Sequence, residues 1–408
     1  MAFNVALRSQ LPLEVVEQIL SFLPVPDLCR YRTTCKTWNE LINNPAFSAL
    51  HVRNKNKHSH FIAIHSITTS INSITTSIQN GQYIDGSQVL CFLDISSKKW
   101  YSMKPRDALE KSFLFDPQDF EIVAMDGGLV LLKALKRACK LCHHRSGCIQ
   151  LCVWNPIKDM KIILPCVPNH GWDLLTNFVV DDIAETFKVF ITKRGWKSRV
   201  VHIYDYVMKE WKTSSKSEML NKRMYNIIQS IVFQDLLYVL CFGYYFVNKY
   251  ELWRYNHVED IWERLHFADA CFVAHDQPKD VTGKFVVSGE RLFVTFWLGL
   301  QNVFEVHEID IQSRSTKVLL TWTITHIMNF FDIDVNLPFD YPGILIIGFN
   351  KSFMLLSNYS RNIVSFDAET KETNFEWPQL PLRELKMEEE SYSLIGKQMD
   401  FLLPGTLK

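Results

Sequence analysis

Residues 11–47 read LPLEVVEQILSFLPVPDLCRYRTTCKTWNELINNPAF, a stretch that is helical in pattern and apolar for its length. Pro12 suits the first position of a helix, because its missing N–H has no helical partner there. This helix is expected to stop at Leu23, since the prolines that follow cannot continue it. A second helix can begin at Pro26, with Leu28, Tyr31 and Cys35 expected to face inward, and its pattern continues until Asn43.

The first of these helices carries two apolar faces. Apolar residues recur at helical spacing in two sets on adjoining faces, namely Val15, Ile19 and Phe22, and Val16, Leu20 and Leu23. A unit of about 40 residues can barely bury one core. We therefore expect one face to serve that core, while the other meets a partner or packs on the rest of the chain.

This stretch resembles an F-box. The positions that carry the resemblance are Leu11-Pro12, Glu14, Ile19-Leu20, Leu23-Pro24, Asp27-Leu28, Arg30, Cys35-Lys36 and Trp38. The resemblance implies a short all-α domain of three helices at residues 8–50, which binds a Skp-type adaptor and through it a cullin. The residues expected to contact the adaptor, or in part to form the core of the domain, are Leu11, Pro12, Val15, Ile19, Leu20, Leu23, Pro24 and Leu28.

Charge and cysteine content limit which classes of partner and which cellular compartment are expected. Lys plus Arg and Asp plus Glu both number 44, which argues against nucleic acid or a membrane surface as the main partner. The opening residues hold no apolar signal segment, so the ten cysteines are expected to be reduced thiols in a cytoplasmic or nuclear protein. The most apolar stretch, 227–247, is broken by polar residues and predicts two buried strands rather than a membrane span.

Beyond a basic connector at 51–59, a unit of strand, Asp or Asn, charged turn and often Trp recurs six times. Its anchors lie 61, 50, 51, 54 and 57 residues apart and are Asp94, Asn155, Asp205, Asn256, Asp310 and Asp367. This spacing is near the kelch period of about 50 residues. Each anchor can accept a hydrogen bond from the backbone two residues on. The tryptophans that follow are expected to cover the junctions between sheets, namely Trp100, Trp211, Trp262 and Trp377.

The apolar runs between the anchors predict strands buried on both faces, as in the inner ring of a β-propeller. Residues 60–403 resemble the kelch-type or F-box-associated propellers of plant F-box proteins. The predicted fold is mainly β: a short all-α F-box followed by a six-bladed kelch-like β-propeller. Two packed β-sandwich sheets are the competing fold. A last strand at 392–403 is expected to complete the first blade.

A cysteine-rich loop before Asn155 is the candidate metal site. Its residues Cys139, Cys142, His143, Cys148 and Cys152 are of zinc-ligand type, but their spacing matches no standard zinc finger. We expect a basic surface loop with reduced thiols, and no metal or cofactor.

The sequence contains no GxSxG, HExxH, GxxxxGK[ST] or GxGxxG motif. The resemblance implies a non-catalytic receptor subunit of a Skp–cullin–F-box ubiquitin ligase, which holds an unidentified target protein on its propeller loops. Segments 133–150 and 273–284 are the candidate loops. The alternatives are an interaction scaffold that acts outside a ligase, and a propeller enzyme, for example a carbohydrate-active one, with acidic side chains converging in a central pocket.

Overall fold

The computed structural model describes residues 11–23, 25–54, 61–68, 90–95, 97–103, 120–134, 149–155, 160–167, 174–181, 184, 186–193, 200–214, 225–243, 249–267, 281–298, 302–333, 344–349, 351–357, 360–380 and 392–399. Within these ranges no helix is both long and apolar enough to span a bilayer. The described part of the apolar stretch, residues 227–243, forms strands instead, as predicted.

Four short helices form an N-terminal helical unit: α1 (Leu13–Leu20), α2 (Val25–Arg32), α3 (Lys36–Asn43) and α4 (Pro45–Arg53). Their core consists of Leu20, Leu28, Leu41, Ile42 and Phe47. The prediction of three helices, with one helix running from Pro26 to Asn43, is therefore wrong. The hydroxyl of Thr33 donates to Arg30 O at 2.7 Å and that of Thr34 to Tyr31 O at 2.7 Å. These bonds satisfy the last carbonyls of α2 and end that helix.

The helical unit continues beyond residue 50, where the connector was predicted to begin. The helix α1 ends at Leu20, three residues before the predicted stop at Leu23. His51 is fully buried, and its Nε2 lies 3.1 Å from Leu23 O in the turn that follows α1. Asn54 Nδ2 donates to Ser21 Oγ at 2.8 Å. Residues 51–54 therefore hold α4 against α1, although their polar composition indicated a solvated linker. Residues 55–59 of the predicted linker lie outside the described part of the chain.

The described strands form six four-stranded antiparallel sheets, in which the strands follow one another from the first to the fourth position. Sheet 1 contains β24 (Tyr392–Met399), β1 (Phe61–Thr68), β2 (Leu90–Asp94) and β3 (Lys99–Met103). Sheet 2 contains β4 (Phe120–Asp126), β5 (Leu129–Ala134), β6 (Leu151–Asn155) and β7 (Met160–Ile163). Sheet 3 contains β8 (Leu174–Asp181), β9 (Thr186–Lys193), β10 (Val201–Asp205) and β11 (Glu210–Thr213). Sheet 4 contains β12 (Tyr225–Phe233), β13 (Leu236–Gly243), β14 (Lys249–Asn256) and β15 (Ile261–Leu265). Sheet 5 contains β16 (Val281–Ser288), β17 (Arg291–Leu298), β18 (Val303–Asp310) and β19 (Ser315–Thr323). Sheet 6 contains β20 (Ile344–Phe349), β21 (Ser352–Ser357), β22 (Ile363–Asp367) and β23 (Thr373–Asn374).

The first strands of the sheets contact one another in a cycle, in the order β24, β4, β8, β12, β16, β20 and back to β24. The fold is thus mainly β and is a β-propeller, whereas the competing sandwich would have two large sheets. The last strand, β24, pairs with β1 from Phe61↔Met399 to Thr68↔Tyr392. The prediction that a C-terminal strand completes the first sheet is therefore confirmed for residues 392–399.

Strand direction separates two ends of the propeller. In every antiparallel sheet, the connections from first to second and from third to fourth strand lie at one end, which we call the tight-turn end. The connections from second to third strand, and from each sheet to the next, lie at the opposite, long-connection end. The helix α5 (Ile324–Phe331), which follows β19, also lies at that end. Because β1 is a second strand, the chain enters the propeller from the helical unit at the tight-turn end.

Each of the six predicted anchors ends the third strand of a sheet. Asp205 Oδ1 accepts from the N–H of Val207 at 2.9 Å and of Met208 at 3.3 Å. Asp367 Oδ1 does the same for Glu369 and Thr370, both at 2.8 Å. Four residues after an anchor, the backbone turns to a positive φ of 52° to 63° at Lys98, Lys209, Asp260, Arg314 and Lys371. The repeated unit therefore forms the same type of hairpin in these sheets, as predicted from the Asp or Asn at each anchor.

The tryptophans that follow these turns lie at junctions between sheets. Trp211 of sheet 3 donates from Nε1 to Pro165 O, beyond β7 of sheet 2, at 2.8 Å. Trp100 and Trp377 pack in one apolar cluster shared by sheets 1 and 6. Lys98 Nζ lies 5.5 Å from the centre of the Trp377 ring and donates to Glu376 O at 2.7 Å. These contacts connect the last sheet to the first.

The approach of β20 to β16 gives a stability prediction. A Cβ added to Gly348 would lie 1.9 Å from Val287 O, so Gly348→Ala requires the two backbones to separate. We expect a loss of about 3 kcal/mol in the free energy of unfolding. Gly283→Ala is the control, since the added Cβ meets the end of the Leu240 side chain at 2.8 Å, which can move. Urea denaturation checks this, and equal losses in the two variants would contradict it.

A second prediction concerns the pH dependence of the Asp367 turn. Hydrogen bonds from the N–H of Thr370 and Glu369 and from Ser352 hold the pKa of Asp367 below its ordinary value. A carboxyl whose folded pKa is lowered stabilises the fold fully above its unfolded pKa of about 3.9, and loses this effect as pH falls through the folded pKa. Asp367→Asn keeps the acceptor, as Asn256 does in sheet 4, but does not titrate.

We therefore expect wild type to exceed Asp367→Asn in Tm by a constant margin above about pH 5, and the margin to shrink below about pH 4. Thermal unfolding over this pH range measures it. An unchanged margin at every pH would show that the ionised carboxylate adds nothing to the turn.

Candidate functional site: an exposed apolar face on the helical unit

The two apolar faces of α1 have different environments. Leu20 is 3% exposed and packs in the core of the helical unit, with Val16 and Leu23 partly buried against it. On the other face, Val15 is 41% and Ile19 51% exposed, and Phe22 follows them with 36%. The helical unit therefore uses one face for its own core and leaves the other accessible.

The eight predicted adaptor contacts divide between these two environments. Leu11 is 54% exposed, and Pro12, Val15 and Ile19 are exposed as well. Leu20 and Leu28 lie in the core, and Leu23 is half-buried. Pro24 lies outside the described residues.

Sequence patterns missed two further exposed apolar residues in the helical unit. Leu13 is 50% exposed and opens α1. Tyr31 was expected to point inward, but it is 37% exposed and packs edge-on against Trp38, with ring centres 5.3 Å apart. Leu13 lies about one helical turn before Val16, and Tyr31 lies about one turn after Leu28. The helical pattern therefore placed Leu13 and Tyr31 on the same side as these core residues. The break at Thr33-Thr34 explains the error for Tyr31, since it ends α2 one residue after Tyr31. Together, Leu11, Val15, Ile19 and Phe22 form what we call the α1 apolar face.

A cavity of about 310 Å³ lies among the first strands of sheets 2 to 6. Among the described residues that line it, none is Asp or Glu. A glycosidase needs a pair of carboxyl groups at its reaction centre. The described wall of this cavity therefore gives the alternative of a carbohydrate-active enzyme no support.

The candidate zinc ligands are represented in the structure by Cys152 alone. It lies in β6, is 1% exposed, and its burial raises the pKa of the thiol to about 12. A thiol must lose its proton to bind zinc, so this position disfavours metal binding. Cys139, Cys142, His143 and Cys148 lie outside the described residues. In the described ranges no cluster of His, Cys, Asp or Glu could hold a metal ion.

The two candidate target-binding segments are only partly described. Residues 133–134 end β5, and Ile149 forms a β-bridge with Val167. Residues 281–284 are the first residues of β16 and not a loop. The intervening parts, 135–148 and 273–280, lie outside the described residues. The described strands that flank them, β5 and β6 for the first and β15 and β16 for the second, face them with their ends at the long-connection end.

Comparison with known proteins agrees with the helical unit and the propeller. A family model described as F-box-like matches residues 9–49. An F-box protein of Arabidopsis thaliana is 38% identical over 64 residues, which cover 16% of this chain and 19% of that protein. An F-box/kelch-repeat protein of the same plant is 24% identical over 217 residues, which cover 50% of this chain and 51% of the relative. The chain therefore aligns with about half or less of the length of these relatives.

Solved structures are more distant. TolB from Acinetobacter baumannii has a TM-score of 0.46 at 8% identity and covers 83% of this chain and 66% of its own. A chain of a nidogen/laminin complex has a TM-score of 0.44 at 7% identity and covers 83% of this chain and 97% of its own. These scores are too low to support a conclusion about fold or function.

The chain therefore combines an N-terminal helical unit that matches the F-box-like model with a C-terminal β-propeller. It is similar to the plant F-box/kelch-repeat proteins.

Because the two faces of α1 differ in burial, substitutions at neighbouring positions are expected to change the stability of the helical unit by very different amounts. Leu20→Ala leaves a cavity in the core and is expected to destabilise the helical unit by about 2–5 kcal/mol. Ile19→Ala removes a half-exposed side chain and is expected to change that free energy by about 0.5 kcal/mol or less. Hydrogen exchange of the amides in α1 to α4 measures both. Equal deprotection by the two variants would show that Ile19 belongs to the core.

Proposed function

We propose that this protein is the substrate-recognition subunit of a Skp–cullin–F-box ubiquitin ligase, with the α1 apolar face as its adaptor contact. The observation that carries this proposal is that the apolar face of α1 is exposed within the segment that matches the F-box-like model. A monomeric protein rarely leaves such a contiguous apolar surface exposed without a partner for it. Full burial of a large apolar side chain contributes about 1.5–3 kcal/mol, so covering these half-exposed side chains contributes roughly half of that for each.

The buried residues in the predicted set have a supporting role in this proposal. Leu20 and Leu28 position α1 by filling the core, whereas Leu11, Val15 and Ile19 make the contact. The link from His51 to Leu23 O fixes the turn that follows the same helix. Substitution of core residues would therefore weaken adaptor binding only by unfolding the helical unit.

For the β domain we infer a closed ring of six blades, one for each four-stranded sheet. The cyclic contacts between the first strands and the pairing of β24 with β1 support this count. In this arrangement the long-connection end would hold the target protein, since binding residues are often carried by loops on a rigid scaffold. The chain from the helical unit enters at the opposite end, so adaptor and target would not compete for one surface.

The protein would then act by proximity and without a catalytic residue of its own. Holding the target beside the ubiquitin-loaded enzyme of the ligase raises its local concentration there. This work would take place in the cytoplasm or nucleus. No cofactor enters the proposal.

Capture of a purified Skp-type adaptor by the full chain tests the adaptor contact. We expect wild type to capture the adaptor, and both Leu11→Ala/Pro12→Ala and Ile19→Glu to lose at least tenfold in affinity. Val258→Glu is the control, because Val258 is 81% exposed on a propeller turn. Loss of capture by the control, or full capture by Ile19→Glu, would contradict the proposed contact.

Ubiquitin transfer separates a ligase subunit from a scaffold. The full chain, assembled with adaptor, cullin and the conjugating enzyme, is expected to support ubiquitination of itself or of a bound protein in an adaptor-dependent manner. Adaptor capture without any ubiquitin transfer would favour the alternative, an F-box scaffold that acts outside a ligase.

A further inference from the structure

The central cavity differs from the α1 apolar face in both location and chemistry. Its described wall comes from β4, β8, β12, β16 and β20, and none of the described lining residues is Asp, Glu, Lys, Arg or His. Its volume of about 310 Å³ is at the lower end of the range of roughly 300–1,000 Å³ found for ligand pockets. A charged ligand would find no counter-ion on the described wall.

One side of the wall carries neutral polar groups at fixed positions. Asn177 Nδ2 donates to Ser230 Oγ at 2.7 Å, which leaves the amide oxygen of Asn177 as the acceptor end. The Oε1 of Gln229 accepts from the N–H of Phe285 on β16, so its NH₂ group is the end left to donate. Both amides line the cavity together with Thr176. An oriented donor and an oriented acceptor are thus held in one cavity.

The backbone explains how Gln229 reaches this position. The pairing of β12 with β13 shifts register between Ile227 and Gln229, which places an extra residue in the innermost strand. Such a bulge turns the following side chain away from the regular alternation and is common beside binding sites. Gln229 consequently lies along the wall and bonds to the adjoining sheet.

The opposite side of the wall is apolar. Val286, Ile346 and Ile347 line the cavity from sheets 5 and 6, and Met125 lines it from sheet 2. Each innermost strand pairs with only one neighbour, so its other edge presents backbone N–H and C=O groups toward the centre. The cavity therefore combines an apolar surface with neutral hydrogen-bonding groups, and this combination selects ligands by the absence of charge as well as by shape.

We propose that this cavity binds a small uncharged molecule that carries a carboxamide group and an aliphatic body. The amide would pair with Gln229 and Asn177, and the aliphatic body would lie against Val286 and Ile346. This site is independent of adaptor binding, so the proposal for the cavity can be tested separately from the proposed ligase role.

A matched pair of probes tests the selection against charge. N-acetyl-leucinamide and N-acetyl-leucine have nearly the same shape, but the second is a carboxylate at pH 7. Saturation-transfer NMR and calorimetric titration with the full chain are expected to show binding of the amide at least tenfold tighter than that of the acid. Equal binding of both would show that the cavity does not select against charge, and binding of neither would show that it does not take such a ligand; either result would overturn the proposal.

Two variants place the binding in the cavity. Gln229→Leu removes the amide at nearly constant size and is expected to weaken N-acetyl-leucinamide binding at least tenfold. Because this change also removes the bond to Phe285, Ala124→Leu serves as the second variant, which fills the cavity from β4 without touching that bond. The control is Gln312→Leu on an exposed turn, which should bind as wild type does. Unchanged binding in Ala124→Leu would contradict the assigned site.

Discussion

The closed arrangement of the β domain depends on the pairing of its last strand with its first. β24 aligns with β1 over eight residue pairs, from Phe61↔Met399 to Thr68↔Tyr392, and supplies the innermost strand of sheet 1. Without it, β1 would present an unpaired edge toward the centre, and β20 and β4 would each lose their contact on one side. Such a pairing joins segments more than 300 residues apart in the chain, so its loop-closure entropy must be offset by all the junctions between sheets together.

The other junctions between neighbouring sheets share one type of apolar contact, but their polar contacts differ. Aromatic residues after the repeated turns cover the outer parts, as Trp211 does against Pro165. Nearer the centre, the hydrogen bonds differ at each junction: the N–H of Val180 donates to Asp126 Oδ2 at 2.8 Å, and Ser288 Oγ donates to Ser352 O at 2.8 Å. A polar group left without its partner at such a buried junction would be costly, so these bonds help to specify which sheet lies beside which.

The features predicted correctly from the sequence are those that depend on residues close together in the chain. The anchors from Asp94 to Asp367 predicted six hairpins, because an Asp or Asn side chain and a turn of fixed length suffice to form them. The two faces of α1 followed from helical spacing alone. The break between α2 and α3 was missed because it depends on the hydroxyls of Thr33 and Thr34 bonding back to the helix, and the role of His51 was missed because its partner, Leu23 O, is 28 residues away. The central cavity depends on a bulge in β12 and on contacts between sheets, which no periodicity in the sequence reveals.

In the proposed function, separate surfaces carry separate tasks: the α1 apolar face binds the adaptor, and the long-connection end of the propeller holds a target. Hydrogen–deuterium exchange of the full chain, alone and with a purified Skp-type adaptor, tests this division most directly. We expect strong protection of residues 11–31 on adaptor binding and no change in β12, β16 or β20 of the propeller. Protection of the propeller strands without protection of α1 would contradict this division, since the adaptor would then bind a different surface.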